Sequence, residues 1–470
     1  MDDMCAIILA AGEGTRMRSR KAKVLHALLG RPLVHYPVEL SRRLGAKRVL
    51  VVVAHQAEEV KQSLAGHPVE FVDQGEPKGT GHAVLRAEEA LRGFEGTVLV
   101  LTADAPLLTE QTVRHLVEAH RSENAVATVL TARVAHPAGY GRILRDPQGR
   151  LHRIVEEVEA TATEKQVSEI NTGVYCFAAA FLFDALRVVP VSPVKGEIFL
   201  PEVVRVLVQQ GQPVHAVLAA DATEVQGINT RAELAQAATV LRQRVNQRLM
   251  GEGVTLIDPH ATYIDDTVRI GPDTVIYPGV ILEGTTTIGE GCVIHSHCRI
   301  QHSQLGEQVT VLDGSVILAS EIADGCVIGP YAHLRPQSRL QRKAKVGNFC
   351  EVKKAVIGEG SKVPHLAYIG DTVMGKNVNI GAGTITCNYD GFAKHETVIE
   401  DEVFVGSNTN LVAPVRVGKG AIIAAGSTIS EEVPPDAVAF GRAPQVNKEG
   451  RAATTRKKRQ AMAPPKDVDD

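Results

Sequence analysis

Two stretches of this 470-residue chain concentrate side chains suited to handling phosphate. The first is Leu9-Ala10-Ala11-Gly12-Glu13-Gly14-Thr15-Arg16-Met17. Its small residues let backbone N–H groups approach phosphate oxygens, and Arg16 can add a bidentate contact. It is not a Walker A loop, since Gly-Lys-Ser/Thr is absent, and not a full GxGxxG, since Met17 stands at the last Gly position. A tight strand-to-helix turn is the competing reading. The second stretch is denser in polar groups. It comprises Leu334-Arg335-Pro336, Val346 to Lys354, His365 to Asp371, Asn377 to Thr384 and Cys387 to Gly391. Arg335 and Lys353 are 18 residues apart. In a fold with 18-residue coils they stack on one face as a phosphate clamp, the competing reading being a solvated face.

The elements that must position these groups differ between the two halves. Cys5 to Leu9, Arg48 to Ala54, Val69 to Asp73 and Thr97 to Ala103 are continuous apolar runs separated by helix-like stretches such as Ala83 to Leu91. Such runs imply a mostly parallel, Rossmann-like α/β sheet covered on both faces, with ligands outside the carboxyl ends of its strands. Thr230 to Met250 reads as one helix, with Leu234, Leu241, Val245 and Leu249 on one face, Asn229 or Thr230 as its cap and Gly251 as its stop.

After Gly251 an aliphatic residue followed by Gly or a small residue recurs at multiples of about six, as in Ile270-Gly271, Ile288-Gly289, Leu305-Gly306 and Ile322-Ala323. Those four are spaced by 18, 17 and 17 residues. Hexapeptide repeats are the signature of a parallel β-helix. Three make one coil, whose inward aliphatics stack on the next coil at about 4.8 Å. Narrow interior layers also explain the 4% aromatic content and the absence of Trp. The expected organisation is 1–229 as the α/β domain, 230–250 as a linker helix, 251–450 as the β-helix and 451–470 as a flexible tail.

Composition narrows the class. Hydrophobic residues at 44% exclude a disordered chain. A net charge of −3 argues against a main role in gripping nucleic acid or an anionic membrane. Seven cysteines with no CxxC argue against a disulfide framework and for a reducing compartment. The apolar run Ala6 to Ala11 is too short for a signal peptide or a membrane span. A cytoplasmic protein without membrane insertion is the expectation.

As a longer string, LAAGxGTRM followed by Lys23 resembles the sugar-nucleotide pyrophosphorylases, which join a nucleoside triphosphate to a sugar 1-phosphate. The resemblance makes Lys23 the phosphate-binding lysine, with Ala22 where the family usually has Pro. Gln74 and Lys78-Gly79-Thr80-Gly81-His82-Ala83 resemble segments that read the uracil edge, which an amide and backbone groups can satisfy. Thr102-Ala103-Asp104-Ala105-Pro106-Leu107 resembles the family's x-Gly-Asp-x-Pro-Leu string, Ala103 replacing Gly, and implies Asp104 as a Mg²⁺ ligand. Segments around Gly141, Glu156 and Asn171 resemble the sugar-binding ones, and Gly227-Ile228-Asn229 the second metal ligand. Mg²⁺ commonly takes one or two protein oxygens and completes its shell with phosphates and water. The implied UTP and UDP-sugar set is Leu9, Ala10, Ala11, Gly12, Lys23, Gln74, Gly79, Thr80, Thr102, Ala103, Asp104, Gly141, Glu156, Asn171 and Asn229, with Arg16 and Lys23 supplying catalytic charge.

With the polar stretch of the second half, the chain resembles, up to about residue 450, the bifunctional N-acetylglucosamine-1-phosphate uridylyltransferase/glucosamine-1-phosphate N-acetyltransferase family. The resemblance implies His365 as the general base toward acetyl-CoA, and Arg335, Lys353, Tyr368 and Asn379 as the glucosamine-phosphate site. It implies Ala382, Asn388, Tyr389, Ser407, Ala425 and Arg442 along the acetyl-CoA path, Asn388 and Tyr389 also orienting the sugar. It further implies a homotrimer and a product feeding bacterial cell-wall and envelope polysaccharide synthesis. Pro364, beside His365, fixes its own φ and restricts Val363. The alternatives are a nucleotidyltransferase whose β-helix only oligomerises or regulates, and a non-catalytic scaffold. A zinc site at His295, His297 and His302 is weak, because imidazoles alone are a poor signal. The basic run Arg456-Lys457-Lys458-Arg459 reads as a solvated end before a nucleic-acid patch.

Overall fold

The computed structural model describes residues 3–463. The chain divides into two compact units. One runs to Leu249 and takes back Tyr263–Thr267; the other holds Met250–Thr262 and continues from Val268.

The first unit is built on a nine-stranded sheet: β1 (Met4–Leu9), β2 (Arg48–Val53), β3 (Glu70–Asp73), β4 (Thr97–Thr102), β5 (Ala127–Arg133), β6 (Arg142–Arg145), β7 (Leu151–Val155), β8 (Glu169–Ala178) and β9 (Val214–Leu218). The order is β9-β5-β8-β4-β1-β2-β3, with β6 pairing β8 and β7. The apolar runs β1, β2 and β4 are parallel neighbours, as their two-sided burial requires. β8 is inserted antiparallel between β4 and β5, and β6 pairs antiparallel with both β8 and β7. The register of β8 against β5 shifts between Asn171 and Tyr175, a local irregularity of the kind that re-aims side chains. Leu9 and Thr102 are register partners, and Gln74 hydrogen-bonds the Val53 carbonyl at 2.8 Å. The carboxyl ends of β1, β2 and β4 and the residue after β3 therefore meet at one edge.

The helix from Arg231 to Gly251 opens on a reciprocal cap. Thr230 Oγ1 accepts the Glu233 N–H at 3.2 Å, and the Glu233 carboxylate accepts the N–H groups of Thr230 at 2.8 Å and Asn229 at 2.6 Å. Thr230 is thus the cap. The Asn229 side chain is left for other work. Ala237 and Leu241 pack with Leu28, Leu33, Leu107 and Ile228.

The second unit is a left-handed parallel β-helix with three sheets of 11, 10 and 9 strands. Ile270, Ile288, Leu305 and Ile322 stack in register on one of them, all buried. Each such inward aliphatic contributes about 1.5–3 kcal/mol. Cys292, Cys298, Cys326 and Cys350 sit inside the coils, each thiol within 3.2 Å of a backbone carbonyl. Burial pushes Cys298 and Cys326 up to about 11. They are structural hydrogen-bond donors, not nucleophiles. The coil step is 17 or 18 residues along most of the helix, 20 at its first coil and 16 at its last, and one coil is much longer: Met374 pairs with Ile399, 25 residues on. The eight extra residues form an exposed excursion between Asn388 and Thr397.

The basic run of the tail is solvent-exposed, as read from the sequence. Arg451–Met462 is a helix, exposed along its whole length. Ala, Arg, Lys and Gln favour helix without any packing partner. Residues 464–470 of the tail lie outside the described residues.

Candidate active sites

The first site opens at the carboxyl edge of the α/β sheet. Leu9, Ala11, Gly12, Lys23, Gln74, Gly79, Thr80, Thr102 and Asp104 line one cavity of about 310 Å³, within the range of small-molecule sites. The loop after β1 is shaped by Gly14, whose φ is +67° and whose absent Cβ would lie 2.4 Å from Lys23 Cβ. Only glycine lets the Lys23 stem pass there. The Lys23 ammonium lies 2.5 Å from Asp104 Oδ2 and 3.1 Å from Asn229 Oδ1. Two oxygens 125 residues apart in sequence thus converge on one cation. By chemistry they fit a divalent metal, to which they would supply two oxygens. Among the described residues no three His, Cys, Asp or Glu side chains gather as a metal site, so the ligands beyond this pair would come from phosphates and water.

Gln74 is buried and donates to the Gly79 carbonyl at 3.0 Å, which aims the rest of its amide into the cavity rim. The segment from Lys78 is laced to a strip the sequence did not flag. Gly81 N–H bonds the Ile198 carbonyl at 2.8 Å, Ile198 N–H the Lys78 carbonyl at 2.8 Å, and Leu200 N–H the Thr80 hydroxyl at 3.1 Å. Glu197 of that strip lines the cavity. Its sequence, Glu-Ile-Phe-Leu-Pro, carries no phosphate or metal signal.

The sugar segments meet beside this cavity. A methyl on Gly141 would lie 3.3 Å from Asn171 Cβ and 3.4 Å from Glu156 Oε1. Asn171 Oδ1 accepts from the buried Tyr175 hydroxyl at 2.8 Å and from Gly173 N–H at 3.1 Å, so its amide offers only donors outward. Burial, with the carboxylates of Glu159, Glu202 and Glu197, pushes Glu156 up to about 7. Gly141, Glu156, Asn171 and Asn229 are not among the residues lining this cavity, and Ala10, Ala103 and Arg16 stand apart from it as well. Ala10 and Ala103 bury their methyls in the hydrophobic layer with Ala6, Ile8 and Val51. Arg16 is exposed on the short helical turn Thr15–Met17.

The second site is a column on one corner of the β-helix. Asn348 and His365 are ladder partners. Leu366 N–H bonds the Asn348 carbonyl at 3.0 Å, Gly383 N–H the Leu366 carbonyl at 3.2 Å, Asn408 N–H the Ala382 carbonyl at 2.7 Å and Gly426 N–H the Ser407 carbonyl at 2.8 Å. A methyl on Gly426 would lie 3.7 Å from Arg442 Cδ. His365, Ala382, Ser407, Ala425 and Arg442 therefore succeed one another coil by coil. Pro364 does not disturb the pairing of His365: its strand, Lys362–His365, stays in the ladder.

Arg335 and Lys353 stack as their spacing implied, following the paired residues Leu334 and Val352. Two features were not foreseen. Glu351 holds Arg335 at 2.8 Å, partly neutralising it. Lys394, on the eight-residue excursion, joins Lys353, and its ammonium, with Arg335 behind it, holds Lys353 below the usual lysine range. Lys394 escaped the sequence reading because the excursion breaks the coil step. Beside the cations, Asn388 donates to Asp371 at 2.6 Å and lies 3.5 Å from the Tyr368 hydroxyl. Gly370 makes room for both, since a methyl there would meet Tyr368 Oη at 2.5 Å and Asn388 Nδ2 at 2.8 Å. Asn379 pairs with Lys362 on the next sheet, and Tyr389 is exposed, its hydroxyl on the Gly391 carbonyl at 2.6 Å. His295, His297 and His302 do not converge. His295 stacks on Tyr277 at 4.9 Å, and the other two fill the space under Gly279 and Gly284.

Comparison with known proteins adds to this geometry. Residues 6–168 match the MobA-like NTP transferase domain, 252–340 the GMPPB C-terminal domain and 396–431 the bacterial transferase hexapeptide repeats. The "Bifunctional protein GlmU" of Pelobacter propionicus is 49% identical over 459 residues, 97% of this chain and all of that one. Those of Geotalea uraniireducens and Halalkalibacterium halodurans are 49% and 48% identical over 96% of this chain, and 99% and 98% of their own.

Proposed function

The chain belongs to the family of the bifunctional protein GlmU, and from that premise we propose how its residues divide two reactions. It is a bifunctional transferase. It acetylates glucosamine 1-phosphate with acetyl-CoA, then transfers UMP from UTP to N-acetylglucosamine 1-phosphate, giving UDP-N-acetylglucosamine and pyrophosphate.

Acetyl transfer belongs to the β-helix column. The sugar phosphate rests on Arg335, Lys353 and Lys394, the cluster whose mutual repulsion a dianion relieves. Asn388, held by Asp371, and Tyr368 orient the sugar so that its amine faces His365. As nitrogen attacks the thioester carbonyl, His365 takes the amine proton; a C–N bond forms, the C–S bond breaks and the coenzyme thiolate leaves. A positioned base is worth about 10²–10⁴ in rate. Ala382, Ser407, Ala425 and Arg442 carry the coenzyme along the corner, and Tyr389 lies beside the sugar.

Uridylyl transfer belongs to the cavity at the sheet edge. Gln74 with the Gly79 and Thr80 backbone reads the uracil, Ala11 and Gly12 offer N–H groups to the phosphates while the Ala10 N–H is taken by the Val52 carbonyl at 2.9 Å, and Gly141, Glu156 and Asn171 hold the acetylated sugar. Asp104 and Asn229 would hold Mg²⁺, which when bound offsets charge on the phosphates. Lys23 and Arg16 add positive charge as the sugar phosphate attacks the α-phosphorus and pyrophosphate leaves. The observation that carries this half is the convergence of Asp104 and Asn229 on the Lys23 ammonium.

We also propose a homotrimer in the cytoplasm. Support for association is the exposed ladder of Tyr331, Phe349 and Leu366 beside His365, apolar surface of the kind that protein interfaces cover. Support for the compartment is the uneven, unpaired cysteine set. No described helix is long and apolar enough to cross a membrane.

The test is a paired assay on the wild type, His365→Ala and Asp104→Ala. Thiol release from acetyl-CoA with glucosamine 1-phosphate reads one reaction. Pyrophosphate release with UTP, Mg²⁺ and N-acetylglucosamine 1-phosphate reads the other. Each substitution should silence only its own reaction; loss of both by either one overturns the division. Light scattering reads the trimer.

A further inference from the structure

Asn348 precedes His365 by one coil, and the two are ladder partners. Its Oδ1 lies 2.6 Å from His365 Nδ1, the ring's hydrogen bond among the described residues. A carboxamide oxygen only accepts. Nδ1 therefore carries the proton and Nε2 keeps its lone pair, the tautomer a base needs. The corner holds Asn348 rigid. Leu366 N–H bonds its carbonyl at 3.0 Å. The next residue on each coil, Phe349 and Leu366, adopts left-handed φ values of 55° and 47°, and the Phe349 ring stacks on Tyr331 at 5.5 Å. Left-handed backbone at large apolar residues persists only where the surroundings over-determine it.

The charged groups on the strands packed around the ring have other places. Lys362 lies on the same strand and Lys345 on the coil before, while Asn379 on the coil after is neutral. Past the corner, Glu351 is engaged by Arg335 at 2.8 Å, and Tyr368 faces Asn388. Among the described residues, Asn348 alone bonds the imidazole.

We infer that Asn348 is the positioning residue of acetyl transfer, fixing the tautomer and pose of His365. This rests on His365 being the base. A neutral partner orients the ring without adding the negative charge that a carboxylate in its place would bring.

The test is the pH profile of kcat/KM for acetyl transfer in the wild type, Asn348→Ala, Asn348→Asp and His365→Ala. Asn348→Ala should lower kcat about tenfold or more, part of what a positioned base supplies. KM for glucosamine 1-phosphate should stay within about twofold, since no ground-state contact is lost, and pyrophosphate release should be unchanged. Asn348→Asp restores the acceptor and should recover most of kcat at high pH. Its acid limb should move up by about one pH unit, because the carboxylate favours the protonated ring. Titration of the substrate's own ammonium is common to all four proteins and cannot produce that shift. An unmoved limb in Asn348→Asp, or wild-type kcat in Asn348→Ala, overturns the inference and leaves His365 as the base. Undiminished transfer by His365→Ala overturns the base itself and the inference with it.

Discussion

The two sites handle anionic ligands with opposite electrostatics and opposite construction. In the α/β unit the key cation is already satisfied, Lys23 bonding Asp104 and Asn229 at 2.5 and 3.1 Å. On the reading proposed above, a nucleotide would draw off the ammonium and leave the two oxygens for a metal. On the β-helix, Lys353 and Lys394 stand against each other with Arg335 behind them, so the site is charged in advance for a phosphate. The first site gains selectivity from a partner exchange and loses some affinity for either ligand alone. The second gains affinity at once, at the expense of self-repulsion. Construction differs likewise. Lys23 and Asn229 are 206 residues apart, whereas the β-helix column advances by coil steps.

The harshest test of this contrast is removal of Tyr389 to Glu396, which returns the 25-residue step to 17. The aliphatic ladder should survive, with Tm shifted by only a few degrees, about the effect of 1 kcal/mol. Acetyl transfer should be lost with Lys394 and Tyr389, and pyrophosphate release kept. Collapse of the melt would show that the excursion is part of the coil. Next in size is Asp104→Ala. Several kcal/mol of metal assistance disappear, so pyrophosphate release should fall by about 10³, with thiol release unaffected.

Lys394→Ala should raise KM for glucosamine 1-phosphate about 10–100-fold, the worth of one charge-assisted hydrogen bond. The same substitution should flatten the salt dependence of that KM, and an unchanged KM would remove Lys394 from the site. Lys23→Met addresses the partner exchange directly. Without nucleotide, Mn²⁺ should bind the variant about tenfold or more tightly than the wild type, as read by electron paramagnetic resonance. Equal binding would show that the ammonium does not compete.

The mildest effect concerns Glu156, raised to about 7. The folded state holds this proton more tightly than the unfolded chain, so its contribution to stability falls as pH rises from the ordinary carboxyl range through 7. Above pH 7 it ionises among Glu159, Glu197 and Glu202. KM for N-acetylglucosamine 1-phosphate should then rise a few-fold between about pH 6 and 8. Glu156→Gln should flatten that profile and melt higher at pH 8; an unchanged profile would place the carboxyl in open water.

Legibility followed construction. His365, Ala382, Ser407, Ala425 and Arg442 were named through the family resemblance; the repeat alone carries Arg335 to Lys353, one 18-residue step, but not Ala382 to Ser407, between which the excursion falls. Lys394 was not legible, because eight extra residues erase the conversion of sequence distance to spatial distance. In the α/β unit the glycine loop, Asp104 and Asn229 were legible as motifs. The strip from Glu197 to Leu200 was not, since it contributes backbone groups and shape that any sequence can supply. The tail helix was missed because it has no buried face to create a period.

By itself, the sequence determined the two architectures, through continuous apolar strands in one half and the hexapeptide period in the other. It also singled out the residue types expected to meet phosphate, metal and amine. Only the tertiary structure decided which groups neutralise one another: Lys23 with Asp104, Arg335 with Glu351, Lys353 against Lys394, and His365 on Asn348. Periodicity reports which face of an element is buried, whereas charge pairing depends on distances of a few ångströms between segments that only the folded chain brings together.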